Sequence, residues 1–295
     1  MEYNGLNVVE EDNKIIVENI KNFNPVHIFE CGQCFRWIKQ GDGSYTGVAR
    51  HRAVNVKFSG DSLVVSGSNS QDFVDIWYEY FDLGRDYSQI KARLDKDEIM
   101  HKAINFGSGI RLLKQDTYEA LVSFITSANN RIPMIMKTVA AMSRGYGNET
   151  ELNGLKFYTF PHLEKLSELS ESELEVCGGG FRCKYIIKSS QMIRNEVVSL
   201  KRLAHIDTLD ARNELMKLPG VGPKVADCVL LYSGTKHDVF PTDVWVKRVM
   251  EELYFKREAS FKEIQEFAWN HFGELSGFAQ QYLFYYAREN RIGAK

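Results

Sequence analysis

The chain of 295 residues has room for about two domains of ordinary size and can bury a sizeable core without disulfide staples. Its 44% hydrophobic and 26% charged residues are typical of a globular protein and exclude a disordered or fibrous one. Lys and Arg number 37 and Asp and Glu 39, so the net charge of −2 excludes a polycationic tail and, taken alone, argues against a nucleic-acid-binding protein.

The lack of a recognisable targeting signal and the number of cysteines indicate the compartment in which the protein acts. No run of about 18 apolar residues predicts a membrane span, and the polar, acidic start resembles neither a signal peptide nor a transit peptide. We therefore expect a cytoplasmic protein. Five cysteines, an odd number, indicate reduced thiols. Cys31 and Cys34 form a C-x-x-C pair, but no second pair follows at zinc-ligand spacing, so we expect neither a metal nor a redox role there.

Short β-rich runs split by Gly, Asp and Ser dominate roughly the first 100 residues. The predicted strands cover 15–17, 45–48, 54–58 and 63–66. The predicted turns are Asp12-Asn13, Gln40-Gly41-Asp42-Gly43 and Ser59-Gly60-Asp61.

Helical periodicity replaces this pattern from about residue 113. Asp116 heads a stretch with apolar residues spaced along one helix face. Further predicted helices cover 163–174, 184–198, 209–218, 224–233, 244–254, 261–272 and 279–289. The sequence therefore predicts an α+β fold with a β-rich domain over 1–112 and a mostly helical region over 113–295.

The most specific stretch is a glycine hairpin at about 218–224, Leu-Pro-Gly-Val-Gly-Pro-Lys. Pro219 and Gly220 end one helix, Gly222 is a predicted N-cap, and Pro223 suits the first position of the next helix. The backbone amides of such a hairpin can approach a phosphate closely. By itself, however, this turn is also explained by glycines that serve geometry alone.

A lysine and an aspartate follow the hairpin at a distinctive spacing. Lys224 lies in the first helical turn, where the helix dipole disfavours a cation and so favours a free amine nucleophile. Asp243, nineteen residues later, is a predicted N-cap that keeps its negative charge. A capping aspartate alone is usually structural, but the pair is much rarer.

Four separated motifs share one family pattern. They are CGQCFRW at 31–37, the segment from Gly109 to Asn130, the hairpin with Lys224, Cys228 and Asp243, and the segment from Gly277 to Phe284. Together they resemble the helix–hairpin–helix superfamily of base-excision DNA glycosylases, and specifically the 8-oxoguanine DNA glycosylase/AP lyases. The resemblance covers most of the chain. It implies an antiparallel sheet followed by two mostly α-helical subdomains, with the hairpin at their cleft.

The resemblance also implies roles for the catalytic pair. Lys224 attacks the sugar C1′ and forms a Schiff base, from which β-elimination cuts the strand. Asp243 stabilises the cationic sugar and assists proton movement, and its negative charge opposes the effect of the helix dipole on the Lys224 amine. No cofactor is required, although the family suggests a structural monovalent cation held by backbone carbonyls near Met216, Leu218 and Val221. The partner is double-stranded DNA that contains 8-oxoguanine, and we expect a monomer acting on nucleoid DNA.

A lesion pocket is implied beside this pair. Phe284 stacks on one face of the flipped base, Cys228 lies on the other, and Gln280 binds the pairing edge. Pro241 belongs to the same pocket. Gly32 matches the position whose carbonyl accepts the N7–H that 8-oxoguanine has and guanine lacks. The alternative for each residue alone is structural, with Cys228 and Phe284 in the core and Gln280 solvated.

DNA contacts are implied around the hairpin and the asparagine turn. Asn129 matches the residue that fills the space of the flipped base, whereas Asn130 is expected to hold the turn. Arg182 resembles a position that reads the opposite cytosine, or is a surface arginine. The other DNA-binding candidates are Phe181, Met134, Gly220, Val221, Gly222 and Trp245.

Three of these residues depart from the family pattern. Met134 replaces the arginine that bonds the estranged cytosine in animal and fungal members, Phe181 replaces a tyrosine, and Trp245 replaces a histidine. We therefore expect an intact lesion pocket with relaxed discrimination of the opposite base. Residues 101–250 carry 20 basic and 16 acidic residues, so the DNA-binding face is expected in this segment despite the neutral total.

Three other functions compete with this interpretation. A monofunctional alkyl-base glycosylase would keep Asp243 but lack Lys224. An iron–sulfur relative of the endonuclease type needs four clustered cysteines after the catalytic aspartate, and no cysteine follows Cys228. A non-catalytic DNA-binding module would use the hairpin alone.

Overall fold

The computed structural model describes residues 1–294, and an antiparallel sheet of seven strands lies near the N-terminus. Its spatial order is β1-β2-β3-β7-β6-β5-β4. The strands are β1 (Glu2–Tyr3), β2 (Leu6–Glu11), β3 (Lys14–Val17), β4 (Trp37–Lys39), β5 (Tyr45–Ala49), β6 (Arg52–Ser59) and β7 (Ser62–Ser66). All four predicted strands are present, and β1, β2 and β4 were not predicted.

The predicted turns join these strands. Asp12 and Asn13 have φ values of 44° and 60° and connect β2 to β3, which is the left-handed conformation that a tight hairpin needs. Gly60 and Asp61 connect β6 to β7, and the segment 40–43 connects β4 to β5. Alternate residues of the central strands are fully buried, so one face of the sheet lies on a core.

Helices, not strands, follow the sheet between residues 70 and 106, where the prediction of mostly strand was wrong. They are α2 (Ser70–Asp72), α3 (Tyr78–Tyr80) after a π-helical turn at Phe73–Trp77, α4 (Tyr87–Leu94) and α5 (Glu98–Phe106), whereas the short helix α1 (Pro25–Phe29) lies earlier, before β4. Asn69, Asp86 and Asp97 cap α2, α4 and α5 with their side chains. The aromatic residues Trp77 and Phe81 are buried under the sheet. Their strand-like composition concealed the helices.

The remaining helices agree with the predicted pattern except for α7, which was not predicted. They are α6 (Thr117–Ser127), α7 (Ile132–Tyr146), α8 (Leu163–Glu168), α9 (Glu171–Glu175), α10 (Cys183–Arg194), α11 (Thr208–Met216), α12 (Pro223–Tyr232), α13 (Val244–Met250), α14 (Phe261–Phe272) and α15 (Ser276–Glu289). The helix predicted over 163–174 is two helices, because Ser170 forms a capping box with Glu173 and starts α9. The α+β class is confirmed.

One hairpin in the helical region was not predicted. Strands β8 (Glu149–Leu152) and β9 (Leu155–Tyr158) pair antiparallel around Asn153-Gly154. Both turn residues have positive φ, 51° and 78°, as a type I′ turn requires. Asn-Gly is a strong hairpin signal in a sequence, so this element was predictable.

The helices share one large core. It begins with Cys31 and Phe35, includes Tyr87, Leu94 and Met100 in the first third of the chain, and extends to α15. The chain therefore contributes to the helical layer well before residue 113, and α5 packs directly on α15. None of the helices in the described part of the chain has the length and apolar character that a bilayer-spanning helix needs.

His237 is expected to make the fold acid-sensitive. Its ring stacks on Phe278 at 5.0 Å, and burial lowers its pKa to about 4. The unfolded chain binds this proton near pH 6.5, so stability that depends on neutral His237 is lost as pH falls from 6.5 towards 4. Between pH 7 and pH 5 the free energy of unfolding should fall in both proteins, and the fall should be ~1 kcal/mol smaller in His237→Gln than in the wild type. Urea denaturation at the two pH values measures it. His205→Gln, at an exposed site, is the control. Equal pH dependence in the wild type and His237→Gln would contradict the assignment.

Candidate active site

The glycine hairpin between α11 and α12 has the predicted form. Gly220 has φ 78°, and a Cβ there would approach the Tyr185 ring to 2.8 Å, so both the backbone and the packing require glycine. Gly222 is the N-cap of α12 and Pro223 opens the helix. The predicted hairpin and its cap are thus present.

The hairpin amides are not equivalent. The Val221 amide donates to the Leu218 carbonyl at 3.2 Å and closes the turn, and its side chain is buried. The Val221 amide is therefore engaged within the turn, and a DNA contact by Val221 stays a prediction. Gly220 and Gly222 are exposed, and a Cβ on Gly222 would meet open space. These two glycines leave an anion unobstructed access to the helix N-terminus.

Lys224 and Asp243 lie at the N-terminal ends of two successive helices, α12 and α13. Lys224 is half-buried in the first turn of α12, with its Nζ 5.5 Å from the centre of the Phe124 ring. Asp243 caps α13, and its Oδ1 accepts from the amides of Trp245 (2.9 Å) and Val246 (2.8 Å). The cap fixes the carboxylate in one orientation.

A cavity of about 140 Å³ brings the predicted catalytic and lesion-pocket residues together. All seven line it: Gly32, Lys224, Cys228, Pro241, Asp243, Gln280 and Phe284. Wider clefts of about 530 and 570 Å³ elsewhere in residues 1–294 hold none of these seven. The geometry therefore joins residues that lie more than 250 positions apart in one small chamber.

Gln280 carries an unused acceptor in this chamber. Its side chain is 3% exposed, its Nε2 donates to the Pro241 carbonyl at 3.3 Å, and its Oε1 has no partner within residues 1–294. A buried acceptor without a partner costs about 1–3 kcal/mol. The free oxygen therefore favours a ligand with an N–H donor, and the solvated alternative for Gln280 is wrong.

The walls of the chamber are an aromatic ring and a thiol. Phe284 packs edge-on against Trp245, with ring centres 5.1 Å apart. Burial raises the pKa of the Cys228 thiol to about 11, so the sulfur carries no charge at neutral pH. Gly32 has φ 88°, and a Cβ there would come within 3.1 Å of Phe284. Only glycine fits this position.

Several lining residues were missed by the sequence analysis. They are Phe35, Phe124, Ser127, Asn130, Ile132, Ile135, Tyr232 and Val246. Tyr232 lies eight positions after Lys224, on the same stripe of α12 as Cys228, so helical spacing could have found it. The contribution of Phe124 depends on how α6 packs against α12, which no local pattern shows.

Arg182 is buried and supports the asparagine turn. Its guanidinium donates to the carbonyls of Ala128 (2.6 and 2.9 Å) and Asn129 (3.0 Å). The surface-arginine alternative is wrong, since Arg182 is 9% exposed. In this structure its donors are directed to the turn and not to solvent.

Exposed residues surround that turn. Asn129 is exposed with φ 51°, and Asn130 bonds the Thr126 carbonyl at 3.1 Å, which holds the turn as predicted. Phe181 is 55% exposed and its ring lies 4.4 Å from the Arg182 guanidinium. Met134 is 48% exposed on the first turn of α7. Arg182 thus connects two of the predicted DNA-binding residues, Asn129 and Phe181.

The cysteine pair near the chamber is buried. Cys31 and Cys34 both lie in the core, and burial raises the pKa of each thiol, that of Cys31 to about 11. Within residues 1–294 no cluster of His, Cys, Asp and Glu has the arrangement of a metal site.

Comparison with known proteins gives two family matches. Residues 15–121 match the family described as 8-oxoguanine DNA glycosylase, N-terminal domain. Residues 122–274 match the family described as HhH-GPD superfamily base excision DNA repair protein. Together the two matches cover most of the chain.

Three similar proteins illustrate the relationship. MBOgg1, solved with a low-affinity DNA ligand, is 52% identical, with a TM-score of 0.95 over 97% of this chain and 99% of that one. The Clostridium acetobutylicum 8-oxoguanine glycosylase/lyase, solved with double-stranded DNA containing cytosine opposite 8-oxoG, is 46% identical, with a TM-score of 0.94 over 97% and 98%. The Arabidopsis thaliana N-glycosylase/DNA lyase OGG1 is 31% identical over 87% of this chain and 75% of that protein.

Proposed function

The chain belongs to the HhH-GPD superfamily of base excision DNA repair proteins and carries the N-terminal domain of 8-oxoguanine DNA glycosylases, and on this premise we propose that it excises 8-oxoguanine from double-stranded DNA and cuts the strand at the resulting abasic site. The observation that carries the proposal is the chamber in which Lys224 and Asp243 meet base-binding side chains. A lysine nucleophile joins the two activities, because the amine that displaces the base becomes the Schiff base from which the strand is cut.

The flipped base lies between Phe284 and Cys228. The unused Oε1 of Gln280 accepts from the N1–H of the pairing edge, and the Gly32 carbonyl accepts from N7–H. Guanine has an acceptor at N7, so its lone pair would face the Gly32 carbonyl and the buried acceptor would stay unpaired. The pocket thereby favours the lesion over the normal base.

Lys224 and Asp243 perform the chemistry. The Lys224 amine bonds to C1′ while the C1′–N9 bond breaks, and the base leaves with the electron pair and a proton. Opening of the sugar ring gives the Schiff base. Loss of a C2′ proton then breaks the C3′–O bond and cuts the strand. The Asp243 carboxylate, fixed by its cap, stabilises positive charge on the sugar throughout.

DNA is held by backbone amides and by side chains inserted into the duplex more than by ion pairs. Gly220 and Gly222 direct the start of α12 to a phosphate. Asn129 fills the space of the flipped base and Phe181 inserts beside it, both supported by Arg182. Trp245 reaches the backbone from the side of Phe284. The enzyme acts as a monomer on the nucleoid.

The hairpin also suits a monovalent cation. The carbonyls of Met216 and Val221 accept no hydrogen bond within residues 1–294, and that of Leu218 accepts only the Val221 amide. Carbonyl oxygens with free lone pairs are suitable ligands for a hard cation. These three carbonyls would hold it and stiffen the turn, while Lys224 and Asp243 need no cofactor.

Relaxed discrimination of the opposite base follows from Met134. A thioether cannot make the two hydrogen bonds that an arginine makes to a base, and such a pair contributes about 1–3 kcal/mol of discrimination. We expect similar single-turnover excision rates for 8-oxoguanine opposite C, A, G and T, and a preference for C in Met134→Arg that is stronger by about tenfold. Met134→Lys, which adds charge without the planar fork, is the control. A wild type as selective for C as Met134→Arg contradicts the proposal.

A panel of damaged bases tests the function itself. Duplexes with 8-oxoguanine, 3-methyladenine or an abasic site are incubated with purified protein and borohydride. We expect release of 8-oxoguanine, strand cutting and a covalent adduct. Release of 3-methyladenine without an adduct would identify a monofunctional alkyl-base glycosylase, and binding without release a non-catalytic module.

A further inference from the structure

The loop 30–33, next to the chamber, has a frame of side chains around its carbonyl groups. Three of its four carbonyls accept a hydrogen bond from a side chain distant in sequence. The bonds are Glu30 from Arg288 Nη2, Cys31 from Gln281 Nε2 at 3.0 Å, and Gln33 from Gln115 Nε2 at 2.7 Å. The fourth carbonyl, that of Gly32, accepts no hydrogen bond within residues 1–294. The frame therefore leaves one oxygen free.

Gln281 holds its part of the frame rigidly. It is completely buried, and both ends of its amide are used, because Tyr232 Oη donates to its Oε1 at 2.7 Å. Tyr232 is held in turn by stacking on Phe124, with ring centres 5.2 Å apart. The amide of Gln281 thus cannot turn over without breaking two buried hydrogen bonds.

The loop is also fixed through Gln33. Its Nε2 donates to the carbonyls of Ile28 (2.9 Å) and Arg111 (2.8 Å), and its Oε1 accepts from the Leu113 amide at 2.8 Å. Gly32 lies between these two fixed peptides with φ 88°. The direction of its carbonyl is therefore set by the groups that hold Cys31 and Gln33.

We propose that Gln281, locked by Tyr232, is a positioning residue that aims the Gly32 carbonyl at the N7–H of the lesion and so determines specificity. The inference rests on the proposed function. Hydrogen bonds weaken steeply as they bend, so a small rotation of this peptide would lose the bond that distinguishes 8-oxoguanine. Gln281 acts through Cys31 and touches neither the base nor the sugar.

The test compares two bases that differ only at position 7. One duplex carries 8-oxoguanine, the other its analogue with carbon in place of N7, which lacks the donor. The measured quantity is the single-turnover excision rate of 8-oxoguanine divided by that of the analogue. The two bases also differ in how readily they leave the sugar, but this difference is the same for every variant and cancels when variants are compared. We expect Gln281→Met to lower the wild-type ratio about tenfold. Cleavage of a preformed abasic site should stay within about twofold, since it needs no base recognition.

The controls separate positioning from folding. Gln191→Met removes a comparable bond, from Nε2 to the Ser167 carbonyl at 3.2 Å, and should leave the ratio unchanged. Tyr232→Phe keeps the ring and removes only the hydroxyl that fixes Gln281, and should lower the ratio about threefold even where Gln281→Met fails to fold. An unchanged ratio in the folded variants overturns the inference. A wild type that excises no 8-oxoguanine contradicts the proposed function instead.

Discussion

The Lys224→Gln variant is expected to lose excision of 8-oxoguanine by a factor on the order of 10³ or more and to form no borohydride-trapped adduct. Glutamine keeps most of the length of the side chain, but its amide nitrogen is no nucleophile. Lys224 is half-buried at the positive end of α12, so removal of its charge should stabilise that helix by ~0.3–1 kcal/mol. Lost activity with an unchanged or raised melting temperature therefore reports chemistry and not unfolding.

The matched control is Lys262→Gln. Lys262 is exposed on α14, pairs with Glu266 at 3.7 Å and does not line the chamber. Its variant should trap on lesion DNA as the wild type does. Lys224→Gln should still bind the lesion duplex. An adduct that persists in Lys224→Gln would mean that another amine is the nucleophile.

Helical spacing explains why chamber residues that the family resemblance implied lie side by side. Lys224 and Cys228, and likewise Gln280 and Phe284, are four positions apart on a helix and so share a face. Asp243 caps α13 by a bond to an amide two residues later, and the sequence around it shows this cap directly. Residues whose geometry follows from neighbours in the chain were therefore predictable.

The hydrogen bonds that Gln281 makes to the loop 30–33, and those that Arg182 makes to the asparagine turn, were not predictable in this way. Arg182 binds carbonyls 53 and 54 residues before it, and Gln281 binds a carbonyl 250 residues away. A polar side chain is buried only where the fold supplies partners, and those partners are distant in sequence. Sequence alone consequently left Arg182 as a surface residue or a base reader and did not single out Gln281.

Errors in the fold have a different origin. The segment 70–106 is rich in aromatic residues, which composition assigns to strands, but its Asn and Asp caps specify helices. The hairpin β8–β9 was missed although Asn153-Gly154 indicates it. In both places the short capping or turn signal was more informative than the average composition.

Replacement of Asp243 by asparagine separates its charge from its cap. Asparagine keeps the oxygen that accepts from the Trp245 and Val246 amides, so stability should change by no more than about 0.5 kcal/mol. The negative charge that stabilises the cationic sugar is lost, and excision should fall by about 10²–10⁴-fold. Single-turnover excision and thermal melting, measured on the same preparation, give the two quantities.

Asp86→Asn is a closely matched control. Asp86 caps α4 with the same pattern, accepting from the amides two and three residues later at 2.9 and 3.3 Å, and it lies outside the chamber. Its variant should match Asp243→Asn in stability and the wild type in activity. Asp243→Ala removes cap and charge together and should cost a further ~1 kcal/mol. If Asp243→Asn excises at the wild-type rate, the carboxylate serves only as a cap, and the positive charge on the sugar must be stabilised by other groups.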